Sequence, residues 1–338
     1  MTHKLLLSVT DPYVNNAGPK ARTDVEHFLA DECEICQRPF DYESKLKKLK
    51  YKYWDIPRLF KQRKVDEIYF QYPVYSTVLM DALVASIKQN TTARLIFIIH
   101  DIESLRLFKE QVGYAQKEVE WLNQADGLVV HSQAMQDYLR NQGVTTPMEI
   151  LGLFDYLNPQ PLQGPQPYRR SLCFAGNLMK SQFLSQVDFG GKLPLQVYGP
   201  NPLDDLSADV SYEGVYTPEE LPQHLVANFG LVWDGSRTDT CDGDFGEYMK
   251  YNCPHKVSLY ISSGLPVVVW EQAAVAKYLV ENGLGIAVAS LDELPGRLAQ
   301  FSLEDYEAMK ARVAQVATGL RSGQQIKSAL ERLQTRLK

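Results

Sequence analysis

Two lysines in this chain stand where a strand gives way to a helix, a placing that suits the holding of phosphate. Lys180 closes the run Phe174-Ala-Gly-Asn-Leu-Met-Lys180. There Gly176 lets a ligand come close to the backbone, Asn177 offers a donor and an acceptor, and the lysine can reach an anionic oxygen. Lys256 follows Asn252-Cys253-Pro254-His255 in the first turn of an expected short helix. A proline fits the opening of a helix, where a backbone N–H would lack an intrahelical partner. The N–H groups and the dipole at that end favour an anion, and the ammonium adds a full charge. Asn252 and Ser258 stand on either side. An ordinary α/β turn with a solvated lysine has the same spacing. The dinucleotide fingerprint G-x-G-x-x-G is absent.

Other residues could serve the same chemistry. Tyr198 ends a strand and Tyr216 precedes a helix, so each could offer a flat face to a base, although tyrosines at such places usually pack. Asp234 opens a polar loop after Gly230-Leu-Val-Trp233. Asp242 and Asp244 form a D-x-D pair in that loop, read as an acidic loop rather than a metal site. In the first half, three strand ends should line the other wall of a site: Asn16 and Gly18 in a turn-rich loop, Gln71 before Tyr72-Pro73, and His100-Asp101 with Glu103. An acid or base for activating an acceptor would come from here, Asp101 before His100. An H-D pair at a strand end also caps helices. His131-Ser132 ends another strand as a further substrate contact.

Elements must hold these residues in place, and the pattern is strand–helix alternation. The run 94–99 (R-L-I-F-I-I) and the β-branched run 265–269 are marks of strands buried on both faces of a parallel sheet. Further strands are expected at 4–10, 67–71, 127–130, 148–151, 171–175, 195–198, 230–233 and 285–288. Helices are expected at 23–30, 77–88, 111–124, 133–141, 218–227, 273–282, 291–300, 303–317 and 324–337. Gly264 should end the Lys256 helix, as glycine does at the left-handed C-terminal position. Thr217 with Glu220 has the form of a capping box. Residues 158–167 (N-P-Q-P-L-Q-G-P-Q-P) read as a linker or domain crossing. The expected organisation is therefore α/β: a domain over 1–157, a second over 168–320, and a terminal helix over 321–338. That helix packs back on the first domain or makes a subunit contact, so a homo-oligomer stays open. Two Rossmann-like domains facing each other across a cleft would bind a ligand at the carboxyl ends of their strands.

Composition narrows the class. The chain has 338 residues, 45% hydrophobic and 22% charged, which is ordinary for a globular protein of two domains. Net charge is −6, giving no reason to expect nucleic acid. No apolar run is long enough for a membrane span, and the N-terminus enters a strand pattern at once. Five cysteines in a long chain argue against a disulfide framework, and Cys33-x-x-Cys36 lacks a second pair for zinc. A reducing, cytoplasmic setting is the simplest.

Taken together, Phe174-x-Gly-Asn-x-x-Lys180, Tyr216-x-Pro-Glu-Glu-Leu221, Gly230-Leu-Val-Trp233 and Pro254-His-Lys-x-Ser-Leu-Tyr-x-x-x-Gly-Leu-Pro-Val-Val-Val-Trp270 resemble a family of bacterial GT-B glycosyltransferases. That family includes the glucosyltransferase that extends N-acetylglucosamine on serine-rich repeat adhesins. It also includes polysaccharide enzymes often named β-1,6-galactofuranosyltransferases. Phe70-Gln-x-Pro73 and Ile99-His-Asp101 fit as well, so the resemblance spans nearly the whole chain and is weakest over 31–64. It implies a nucleotide-sugar site in the second domain, an acceptor site in the first, and no metal or cofactor. Lys180 and Lys256 would neutralise the diphosphate, Tyr216 would lie near the nucleotide, and Asn177, Asn252 and Ser258 would assist. The Pro254-His255 pair matches the polysaccharide-type relatives and departs from the adhesin-modifying enzyme. Glucose, galactose and galactofuranose therefore all remain as the donor sugar, with a glycan or glycopeptide as acceptor. A non-catalytic GT-B partner subunit, and an epimerase or hydrolase of nucleotide sugars, are the rival readings.

Overall fold

The structure is a computed structural model, and it describes residues 2–10, 18–42, 44–61, 63–164 and 166–337. The chain divides into two compact units, residues 1–151 with 326–338, and residues 152–325. In the first, strands β1 (Lys4–Thr10), β2 (Glu34–Pro39), β3 (Glu67–Tyr72), β4 (Arg94–Ile99), β5 (Gly127–Val130) and β6 (Met148–Ile150) form one sheet. Their order is β2-β1-β3-β4-β5-β6, and every pairing is parallel. The apolar runs go where a doubly covered sheet needs them, with all of Leu95–Ile99 fully buried.

The second unit holds β7 (Leu172–Ala175), β8 (Leu195–Tyr198), β9 (Val210–Tyr212), β10 (Phe229–Val232), β11 (Val267–Trp270) and β12 (Gly285–Val288). Their order, β12-β11-β10-β7-β8-β9, is again wholly parallel. This is the doubly wound order in which the chain starts in the middle, fills one side, then crosses to the other. The crossing leaves a topological switch point between β7 and β10, and ligands of open α/β sheets bind outside the carboxyl ends of strands at such a point. The first unit has its own switch point between β1 and β3.

Two sequence expectations are corrected by packing. The proline-rich segment 158–167, expected as a linker or domain crossing, falls inside the second unit, and its described residues bond to that unit. Asn158 donates to the hydroxyls of Ser262 and Ser263, the Gln163 N–H donates to the Ser263 carbonyl, and Lys310 donates to the Gly164 carbonyl. The expected 218–227 helix is only Leu221–His224, although the reciprocal bonds between Thr217 and Glu220 do form. The terminal helix Gln324–Arg336 belongs to the first unit. Leu333 lies so close to Gly127 that a Cβ there would meet its methyl at 2.9 Å, and Arg332 pairs with Glu149 at 2.7 Å. Among the described residues no helix is long and apolar enough to cross a membrane. None of the five buried cysteines forms a disulfide.

Candidate functional site

In the second unit the candidate site residues gather at the β7/β10 switch point. β7 leaves the sheet through Gly176, whose N–H donates to the Tyr198 carbonyl at 3.0 Å. The next turn over, Gly199 at φ +136°, presses on it: a Cβ there would lie 1.8 Å from the Gly176 carbonyl oxygen, so only glycine fits. A Cβ on Gly176 would itself stand 3.3 Å from the Lys256 ammonium.

Lys256 sits in the first turn of the helix His255–Ser263, which Pro254 opens as its N-cap and Gly264 closes in the left-handed conformation (φ +87°). Among the described residues no side chain caps its N-terminus by a hydrogen bond. The Lys256 ammonium lies 4.3 Å from the centre of the Phe174 ring and 3.7 Å from the Asp234 carboxylate, with about a fifth of each ionic side chain exposed. A cation is thus aimed at the carboxyl ends of β7 and β10, held there by a ring face and one carboxylate. His255 beside it packs against the Tyr156 ring, the two ring centres 4.9 Å apart and tilted by 32°.

Lys180 closes the short 3-10 turn Leu178–Lys180 that follows β7, is exposed, and lies 4.0 Å over the Phe245 ring. The helix that carries Phe245, Gly243–Tyr248, is tied to the β10 loop, since the Asp234 carbonyl lies 3.1 Å from where a Cβ of Gly246 would be. Asn177 caps the Lys180 turn, and its side-chain oxygen accepts from the Met179 N–H and from Asn201. The half-buried Asn252 keeps a side-chain oxygen with no donor among the described residues. Asp242 of the D-x-D pair accepts from the Ser236 N–H and hydroxyl and from the Arg237 N–H, so it shapes the loop. Burial pushes its carboxyl up, but those bonds outweigh it and leave the group below the usual range.

Three expected contacts are placed differently. Ser258 is fully buried, on the core side of its helix. Tyr198 is 3% exposed and donates its hydroxyl to the His224 carbonyl at 2.6 Å, so it is mostly packed and only lines the wall of a small pocket with Tyr216. Gln71 in the first unit is wholly buried, because its side chain is consumed in joining strands. Its amide donates to Ser8 of β1 and to the Arg22 carbonyl, and its oxygen meets the His100 ring at 2.8 Å. Tyr216 is half-buried and stacks on His224 at 3.7 Å, beside a pocket of about 220 Å³ that Gln196 and Glu213 also line.

Asp101, just past β4, is about a fifth exposed and pairs with Arg106, which also lies 3.9 Å from Glu103. Glu103 is fully buried; burial first, then Asp101 and Glu118, raise its carboxyl to about 7 against the pull of Arg106. Glu118 accepts from the Tyr72 hydroxyl and from the N–H groups of Glu103 and Ser104. His131 is buried with its Nε2 3.0 Å from the Ile99 carbonyl, and burial lowers it to about 4, so it is neutral near pH 7 and acts as a strut. Gly18 begins the helix Gly18–Leu29, and Asn16 lies outside the described residues. Sequence reasoning passed over Arg22, which donates to the carbonyls of Gln71 and Pro73 at 2.7 Å each, and Arg106. The three-residue spacing of Glu103 and Arg106 was the available signal for the second.

Comparison with known proteins agrees with this architecture. Residues 5–153 match the model of the glucosyltransferase 3-like N-terminal domain, and residues 172–333 match that of the glucosyltransferase 3-like C-terminal domain. The chain is 29% identical over 247 residues to the β-1,6-galactofuranosyltransferase WbbI of Escherichia coli K12, covering 70% of each. It is 30% identical over 260 residues to glucosyltransferase 3 of Streptococcus gordonii, covering 76% of each. Among solved structures, sucrose-phosphate synthase of Thermosynechococcus elongatus superposes with a TM-score of 0.66 at 12% identity, over 99% of this chain and all of that one. An E. coli trehalose-6-phosphate protein bound with UDP-2-fluoro glucose gives 0.61 at 12% identity, over 98% of each chain. These two likenesses speak for the fold, an α/β glycosyltransferase architecture of the GT-B class. With both of its sheets matched to that family's two domains, the chain belongs to the glucosyltransferase 3-like family of hexosyltransferases.

Proposed function

We propose that this protein transfers a hexose from a UDP-sugar to a hydroxyl of a glycan acceptor in the making of a cell-surface polysaccharide or glycoprotein. The observation that carries the reading is Lys256, an ammonium fixed over Gly176 at the switch point of the second sheet, in the first turn of a nine-residue helix. Breaking a glycosyl–phosphate bond leaves a diphosphate with growing negative charge, and groups already in place to meet that charge lower the barrier. Lys256, the N-terminus of its helix and Lys180 supply positive potential without an ion in this reading. Asp234 keeps the Lys256 ammonium aimed until a diphosphate arrives, and Gly176 leaves room for phosphate oxygens beside it. Asn177 and Asn252 are assigned polar contacts to the donor, and Tyr216 a place beside the nucleotide. The acceptor hydroxyl must shed a proton, and Asp101, held by Arg106, is the proposed base in the first unit. A reducing, cytoplasmic setting suits five buried cysteines without a disulfide.

The test is UDP release from a panel of UDP-sugars, with and without glycan acceptors, and with and without EDTA. Release that needs acceptor and survives EDTA is the expected result. Release without acceptor would make the protein a hydrolase, and donor binding without turnover would make it a partner subunit; either outcome ends the reading.

A further inference from the structure

One surface of the first unit has no part in the site described above. Residues 44–64 contain nine Lys and Arg against a single Asp, in a chain whose net charge is −6. Three helical pieces run head to tail here, Lys45–Lys50, Tyr51–Asp55 and Ile56–Phe60. The last piece is anchored: Ile56, Leu59 and Phe60 are buried, and Ser86 donates to the Ile56 carbonyl at 3.3 Å. Tyr51 adds a ring contact with Phe40 at 4.7 Å. The first piece buries nothing. Leu46 is 80% exposed, Leu49 49%, Tyr53 59% and Trp54 57%. Their spacing is that of one helical face, and lysines 45, 47, 48, 50 and 52 are interleaved with them.

We propose that this basic, aromatic helical segment docks the protein on an anionic membrane surface. Both halves of the pattern are used by that occupant. Lysines meet the negative potential of acidic headgroups, while leucine, tyrosine and tryptophan enter the boundary between headgroups and acyl chains. A nucleic acid would use the lysines but leave two exposed leucines in water, so charge alone does not explain the surface. The remainder of the chain is acidic, which an anionic bilayer repels, so contact is confined to this face. The proposal is independent of the donor-site reading, and a protein that never turned over a UDP-sugar would still show it.

Tryptophan gives a direct probe, because Trp54 is exposed while Trp121, Trp233 and Trp270 are buried. The full chain is mixed with vesicles of phosphatidylcholine alone, or with about a third phosphatidylglycerol, and followed by co-sedimentation and by emission. Binding to the anionic vesicles only, with a blue shift that disappears in Trp54→Phe, is expected. Replacing Lys45, Lys48 and Lys52 by Gln should weaken binding about fivefold per lysine, and rising salt should do the same. A variant with Leu46→Ser, Leu49→Ser and Trp54→Ser keeps every lysine and should lose binding while its thermal melt is unchanged. The proposal is overturned by absence of binding to anionic vesicles, or by wild-type binding in the serine variant. Tighter binding to a single-stranded oligonucleotide or to polyglutamate than to the vesicles also overturns it.

Discussion

Replacing Lys256 by Met removes the charge and keeps most of the stem that packs on Phe174. Two unit charges about 4 Å apart interact by roughly 4 kcal/mol at the effective dielectric of a half-buried site. The 3.7 Å separation from Asp234, with about a fifth of each side chain exposed, puts this site in that range. Only the part of the interaction that grows as the diphosphate departs lowers the barrier, and loss of one such group costs about 3 kcal/mol, or on the order of 100-fold in kcat. Stability should fall by about 1–3 kcal/mol, because Asp234 is left largely buried without its cation, a loss that keeps the variant folded. The assay is acceptor-dependent UDP release under saturating donor, beside a thermal melt. A kcat within threefold of the parent in a folded variant refutes the reasoning. So does a raised KM at constant kcat, which would mean that the lysine holds substrate and transition state alike.

Other outcomes follow from single contacts. Gly199→Ala drives a Cβ to 1.8 Å from the Gly176 carbonyl, so it should cost about 3 kcal/mol or more and lower the urea midpoint; an unchanged midpoint would show that the two turns do not abut. Tyr260→Phe strips the buried Ala175 N–H of its acceptor at 2.8 Å and should cost about 1–3 kcal/mol by the same measurement. Glu103, raised by burial to about 7 from 4.5, binds its extra proton in the folded state, so its contribution to stability is full at low pH and lost as pH rises toward about 7. His131, lowered by burial to about 4 from 6.5, does the opposite, contributing less as pH falls below about 6.5. Glu103→Gln removes one of two opposed slopes, so stability should rise more steeply with pH between about 4.5 and 6.5 than in the parent; equal slopes in urea titrations would count against the assignment.

The parts of this molecule that announce themselves are those that a single stretch decides. Leu95–Ile99 is apolar throughout because both faces of its strand are covered, and the helix ending at Gly264 carries its own stop signal. Glu34–Pro39 hides because it is an edge strand with mostly exposed side chains and no apolar run, and Val210–Tyr212 is a three-residue edge of the same kind. The segment 158–167 reads as a linker or domain crossing because proline and glutamine have no period. Its order comes from serines on a helix about a hundred residues further on. Both candidate lysines could be named from their spacing, yet the partners of Lys256 could not, since Phe174 and Asp234 reach it only through the strand order. In the first unit, Gln71 has the polarity of a substrate contact. Only three-dimensional placing reveals that Ser8, Arg22 and His100 already use it.

The strand order also explains how Lys256 comes to face the switch point. Tyr260 lies four residues after Lys256, on the same face of the helix. Its hydroxyl accepts the N–H of Ala175, the last residue of β7. Its ring covers Gly230 of β10 so closely that a Cβ there would lie 2.1 Å from the ring. One side chain therefore grips the two strands that flank the crossing, and one turn back along the helix the ammonium is delivered beyond their ends. Gly176 and Gly230 are small for the same reason, as each lies beneath a side chain of that helix. A larger residue at Gly230 would meet the Tyr260 ring and lift the helix off the sheet, whereas a Cβ at Gly176 would stand 3.3 Å from the end of the lysine and displace the ammonium itself. The electrostatics of the site thus rest in part on backbone packing: Tyr260 and Gly230 seat the helix on the sheet, while Phe174 and Asp234 hold the ammonium at its end.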